Sequence, residues 1–147
     1  MSEKLQGKVI IVTGAASGIC RETALLLARE GSSVVVADVD SVGDEETVTK
    51  ARGQGGEALF IHTDVSRPDQ VQALVDKTLD AFGKLDVLVN GAALQVPAPS
   101  LAEVTEEEWD LVITNNLKGT FVPSRFACIL FRQQRSGRIV NLTSDAG

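Results

Sequence analysis

The sequence predicts an α/β domain built on a parallel, doubly wound sheet. Three observations carry this reading. Short apolar runs rich in β-branched residues recur along the chain, helical spacing fills the gaps between them, and a glycine-rich turn joins the first run to the first helix. Strands joined by helical crossovers require parallel pairing with helices on both faces, and right-handed crossovers leave few topologies. Five strands in the order 3-2-1-4-5 are the natural solution. They leave a crevice at the C-terminal ends of the first and fourth strands, where the order reverses.

The elements follow in order. KVIIVT (8–13) reads as a strand buried on both faces. GICRETALLLARE (18–30) places Ile19, Ala24, Leu27 and Ala28 at helical spacing, with Gly31 as its stop. SVVVAD (33–38) is the second strand, and a polar helix over 42–53 ends at GQGG. ALFIHT (58–63) is the third strand, with His62 read as a packed strand residue. Ser66, Pro68 and Asp69 read as the cap and first turn of a helix that runs to Phe82 and stops at Gly83. LDVLVN (85–90) is the fourth strand. Thr105 with Glu108 forms a capping-box signature, opening a helical region to 134 in two segments, with strain at Pro123. The acidic run Glu106-Glu107-Glu108 then suits a helix's first turn, not a metal. RIVNLT (138–143) is the fifth strand.

Composition excludes several classes. The 147 residues fit one domain, and the net charge of −6 argues against a surface that tracks nucleic-acid phosphates. No apolar run approaches the ~20 residues of a membrane helix, and MSEKLQGK has neither signal- nor transit-peptide character. Cys20 and Cys128 are far apart and form no CxxC pattern, so neither a disulfide framework nor a metal site is expected and a cytoplasmic setting is the default.

The turn Thr13-Gly14-Ala15-Ala16-Ser17-Gly18-Ile19-Cys20 carries the chemistry. A diphosphate approaching backbone N–H groups at a helix N-terminus needs glycines, because side chains would block it and the helix dipole favours the negative charge. Asp38, at the tip of the second strand, suits both hydroxyls of an adenosine ribose and would repel a 2′-phosphate. Neither Ser17 nor Val39 supplies a compensating cation, so NAD is expected over NADP.

Together these stretches resemble the classical short-chain dehydrogenase/reductase family, whose fold is of the Rossmann type. TGAASGIC is similar to the family's TGxxxGxG, Asp64-Val65 to its adenine-contacting pair, and LVNGAA (88–93) to LVNNAG. Asn116-Leu117-Lys118-Gly119 resembles NLxG, and GRIVNLTS (137–144) resembles GRIVNxSS. The likeness covers essentially the whole chain.

The resemblance implies that Gly14, Ser17, Gly18 and Ile19 cradle the diphosphate and nearby ribose, and that Asp38 holds the adenosine ribose. Asp64 and Val65 would border the adenine, while Asn90 and Ala92 line the ribose near the fourth strand. Ser144 would donate a hydrogen bond to a substrate carbonyl, and Asn116 would help hold a proton-relay water. It further implies NAD-dependent interconversion of an alcohol and a ketone. The TGxxxGxG spacing argues against a methyltransferase that uses S-adenosylmethionine.

Four departures matter. The family's acid/base is a tyrosine with a lysine four residues later; this chain contains no tyrosine, and three residues follow Ser144. Negligible dehydrogenase activity is therefore expected of the chain alone, and a non-catalytic NAD-binding or interaction module is the alternative reading. Cys20 stands where the third glycine is expected, predicting an outward push on the helix, with a redox-sensitive thiol as a second reading. Gly91 and Ala93 replace the polar and glycine positions of NNAG, predicting some loss of stability. Without the family's last strands, the fifth strand becomes an apolar edge, predicting self-association or a partner segment. Cys128 reads as helix core; Asp86 and Asp110 have no evident partner.

Overall fold

A computed structural model describes residues 5–97 and 100–144. The N-terminal tetrapeptide and residues 145–147, on which part of the reading of the termini rests, lie outside the described residues. The elements are β1 (Val9–Thr13), α1 (Gly18–Arg29), β2 (Ser33–Ala37), α2 (Ser41–Gly53), β3 (Glu57–Phe60), α3 (Pro68–Phe82), β4 (Val87–Asn90), α4 (Glu106–Val112), α5 (Gly119–Gln134) and β5 (Arg138–Asn141). The sheet runs β3-β2-β1-β4-β5, and every pairing is parallel, as the sequence predicts.

β1 sits at the centre because both its faces are apolar. Ile10 and Val12 pack with Val34, Val36, Ala24 and Leu25 beneath α1 and α2, whereas Val9 and Ile11 pack with Val35, Leu74, Leu88 and Ala127 beneath α3 and α5. The period-2 alternation of side chains thus fills two cores from one strand. At the far edge, β5 is covered on one side only: Ile139 joins the second core, but Val140 is 50% and Leu142 44% exposed.

Several local expectations need correction. Ser66 does not cap α3: the cap residue is Arg67, and Ser66 donates both its N–H and its hydroxyl to Asp64 Oδ1, at 2.9 and 2.7 Å. The aspartate two residues earlier outcompetes the helix for that hydroxyl, forming an Asx turn. β3 ends at Phe60, which leaves His62 exposed in place of packed. Its backbone stays in line, since Ile61 N donates to Val36 O and Thr63 N to Asp38 O. Cys128 lies on the exposed face of α5, not in the core. The long helix changes character before Pro123: a π-helical turn, Ile113–Lys118, separates α4 from α5, and Pro123 is buried inside α5. Such widened turns and prolines are the usual causes of a break in a helix's hydrogen-bond ladder.

The capping box forms as read. Glu108 N donates to Thr105 Oγ1 at 3.1 Å and Thr105 N donates to Glu108 Oε2 at 2.9 Å. Asp86, unassigned from sequence, anchors the start of the sheet. It accepts from Val9 N at 2.9 Å and pairs with Lys84 at 3.0 Å and Lys8 at 3.5 Å. Burial pushes its carboxyl up, but the Val9 N–H and the two lysines outweigh this and hold it below the usual range.

Candidate dinucleotide-binding crevice

The crevice lies where β1 and β4 part. Gly14 has φ +73°, and a Cβ there would stand 2.7 Å from Ala92 N and 2.8 Å from Gly91 C. Only glycine permits both that left-handed turn and that approach of two backbones. Thr13 closes the same junction: its hydroxyl oxygen accepts from Gly91 N at 3.0 Å and Ala92 N at 3.2 Å. Sequence reasoning assigned Thr13 no role. Its signal was its place as a polar residue at the end of an apolar strand.

The turn then opens. Ser17, Gly18 and Ile19 are exposed, and Ile19 at 74% is a large apolar side chain facing outward at the first turn of α1. Ser17 is the N-cap residue, but its side chain makes no capping bond. A Cβ on Gly18 would meet nothing within 4 Å, so the space in front of the helix N-terminus is clear. Exposed first-turn N–H groups with the helix dipole behind them suit an anion.

Asp38 faces this turn from the tip of β2. Its Oδ2 accepts from Ala16 N at 3.2 Å, and its Oδ1 from Val39 N at 2.7 Å and Asp40 N at 3.2 Å. Beneath them, Arg21 of α1 ties the turn to α2, donating to Ala16 O, to Gly43 O at 3.2 Å and to Thr47 Oγ1 at 3.0 Å. Thr47 in turn donates to Ala15 O at 2.9 Å. Arg21 and Thr47 were not singled out from sequence, because their role depends on two helices meeting.

The other predicted residues fall around this centre. Asp64 is half-buried, with one carboxylate oxygen given to Ser66, and Val65 is buried against Gly119, where a Cβ would come 2.6 Å from it. Asn90 points inward: its amide donates to Ser124 Oγ at 3.0 Å and Asn141 Oδ1 at 2.9 Å, and its own Oδ1 is buried with no donor. Its side chain therefore joins β4, α5 and β5. Ala92 is half-buried against Gly14. Asn116, in the π turn, clasps the loop after β4, accepting from Leu94 N at 2.7 Å and donating to Leu94 O at 2.9 Å. Ser144 is exposed just beyond β5. Ser17, Gly18 and Ile19 are exposed, Ala15 and Ala16 are buried beneath them, and Asp38 is bonded to Ala16 N; Asn116 and Ser144 stand on the β4–β5 side.

Cys20 does not meet a filled position. Its Sγ occupies the volume that a Cβ on Gly91 would need, together with Leu142. The two departures from the family pattern fit one another: the missing side chain at 91 makes room for the thiol. Burial pushes that thiol up from its ordinary value, and the charge of Asp38 adds to this, so a thiolate is disfavoured and the redox reading is set aside.

The second unusual group is Asp44 in α2. It has no exposed surface, and neither carboxylate oxygen has a hydrogen-bond partner. Burial pushes its carboxyl up to about 7, with Asp38 and Asp40 adding to the rise; the nearby Asp38 backbone N–H and Arg21 oppose it. A native value above the unfolded 3.8 means that folding takes up a proton between the two. That share of stability is complete below the unfolded value, declines as pH rises, and is gone above about 7.

The sheet order, the glycine-rich turn at the switch point and the carboxylate at the tip of β2 define a doubly wound, dinucleotide-type domain. The short chain dehydrogenase family profile matches residues 8–147, and the chain belongs to that family of oxidoreductases, whose members use nicotinamide dinucleotides. It is 47% identical over 142 residues to the short chain dehydrogenase/reductase astE of Aspergillus oryzae, covering 95% of this chain and 54% of that protein. It is 40% identical over 147 residues to the cis-4-hydroxycyclohexanecarboxylate dehydrogenase of Sinomonas cyclohexanicum, covering 100% and 59%. The crystal structure of levodione reductase superposes with a TM-score of 0.91 at 33% identity, covering 95% of this chain and 55% of that one. The chain thus spans a little over half the length of these relatives. Among the described residues no helix is long and apolar enough to cross a membrane, and no group of side chains is arranged to hold a metal.

Proposed function

We propose that this chain holds NAD across the β1–β4 crevice, as the cofactor-binding part of an oxidoreductase acting on an alcohol or ketone. The observation that carries the reading is Asp38, held by Ala16 N–H at the lip of the open glycine turn. Gly14, Ser17, Gly18 and Ile19 take the diphosphate, and Asp38 takes the adenosine ribose diol. Asp64 and Val65 border the adenine, while Asn90 and Ala92 shape the wall toward the second ribose. The bound cofactor supplies hydride transfer. Ser144 orients the substrate oxygen, and Asn116 positions a water for proton relay. The half-exposed apolar residues of β5 provide a packing face for further polypeptide or a second copy.

Calorimetric titration tests the cofactor assignment. NAD should bind at least tenfold tighter than NADP, because the 2′-phosphate would confront Asp38 with no cation beside it, and Asp38→Ala should narrow that gap. Equal or tighter NADP binding would contradict the assignment.

A further inference from the structure

We propose that Asp44 is a proton-holding residue of the adenosine end of the cofactor site, so that dinucleotide binding draws a proton onto its carboxyl and weakens as the solution becomes alkaline. The proposal rests on the reading in which Asp38 receives the ribose. Asp44 is fully buried in the first turn of α2, where its N–H donates to Asp40 O at 3.0 Å; Arg21 of α1 ties the neighbouring Gly43 O to Ala16 O, and Ala16 N in turn donates to Asp38 at the tip of β2. Asp38 collects three backbone N–H donors; Asp44 collects none by normal hydrogen-bond geometry. Asp40 is occupied with capping Gly43 N at 3.2 Å. Arg21, the cation acting on Asp44, gives hydrogen bonds to Ala16 O, Gly43 O and Thr47 Oγ1 and pairs with Glu46 at 3.3 Å. Cys20, also on α1, feels the charge of Asp38 but offers no cation. Buried, and with neither oxygen in a normal hydrogen bond, the Asp44 carboxyl is the one suited to hold a proton.

Dinucleotide binding makes an anionic Asp44 costlier in two ways. It brings a diphosphate to the turn directly above, and it seals Asp38 from water beneath a ribose. Both favour the protonated form, which the burial of Asp44 already favours. Binding and protonation are therefore linked, and by reciprocity each strengthens the other.

The test is calorimetric titration of NAD into the 147-residue chain at pH 8 in HEPES and in Tris, whose different ionisation heats reveal protons exchanged, together with Kd from pH 6 to 9. The wild type should take up a substantial fraction of a proton per NAD, and its affinity should fall roughly tenfold across the range, the equivalent of about one pH unit of linkage. Asp44→Asn, and Asp44→Ala as a second variant, should bind NAD with that uptake removed and a flatter profile; His62 is common to all three proteins. NAD binding with no uptake by the wild type, or with the same uptake by the variants, would overturn the proposal while leaving the cofactor reading intact. No binding of NAD by the wild type at any pH would overturn both.

Discussion

β1 and β5 are both short apolar strands in one sheet, yet they live in different environments. Every residue of β1 is buried, and its two faces feed two separate cores. β5 has one partly buried residue, Ile139, among three exposed ones. The contrast extends outward from each strand. Around β1 the chain builds a packed and cross-tied site from Thr13, Gly14, Arg21, Thr47 and Asp38. Around β5 and the helices before it, Trp109, Leu117, Phe121, Val140 and Leu142 remain exposed. The proposed cofactor end is thus packed and cross-tied, whereas the β5 side, where Ser144 and Asn116 lie, is exposed.

Mutations can sharpen this difference. The largest effect is expected at the β1 end of the crevice. Gly14→Val places a branched side chain at φ +73° and 2.7 Å from the Ala92 backbone, which should cost at least about 3 kcal/mol and abolish NAD binding. Chemical denaturation and titration together would show it; a variant of wild-type stability would mean the two backbones do not approach. Next comes a matched pair. Val35→Ala, at a fully buried position of β2, should cost about 2 kcal/mol through lost burial and a cavity, whereas Val140→Ala, at 50% exposure, should cost well under about 1 kcal/mol. Similar losses at both sites in urea melts would show that β5 is covered after all.

Legibility in the sequence follows the same divide. The central strands were readable because burial on both faces leaves a continuous apolar run, and the glycine turn because its position between strand and helix is local. The Thr105 capping box was readable for the same reason. Ser66 was not: a neighbouring aspartate offered its hydroxyl and amide a better partner than the helix did. RIVNLT reads like any buried strand, since nothing local reports whether its second face is covered. Asp44 sits in a helix whose sequence looks polar throughout, and its burial arises only when α2 meets the tip of β2. The fit of Cys20 to Gly91 joins positions distant in the chain, so each substitution alone looked like a defect.

The central claim is the place of the cofactor, and amide chemical-shift mapping on the isotopically labelled chain tests it most directly. Adding NAD should move the amides of Ala15 to Ile19 and of Asp38 to Asp40 most, with smaller shifts at Asp64, Val65 and Ala92, and little change along α3. Shifts centred elsewhere, with the glycine turn and the tip of β2 unmoved while NAD binds, would contradict the account.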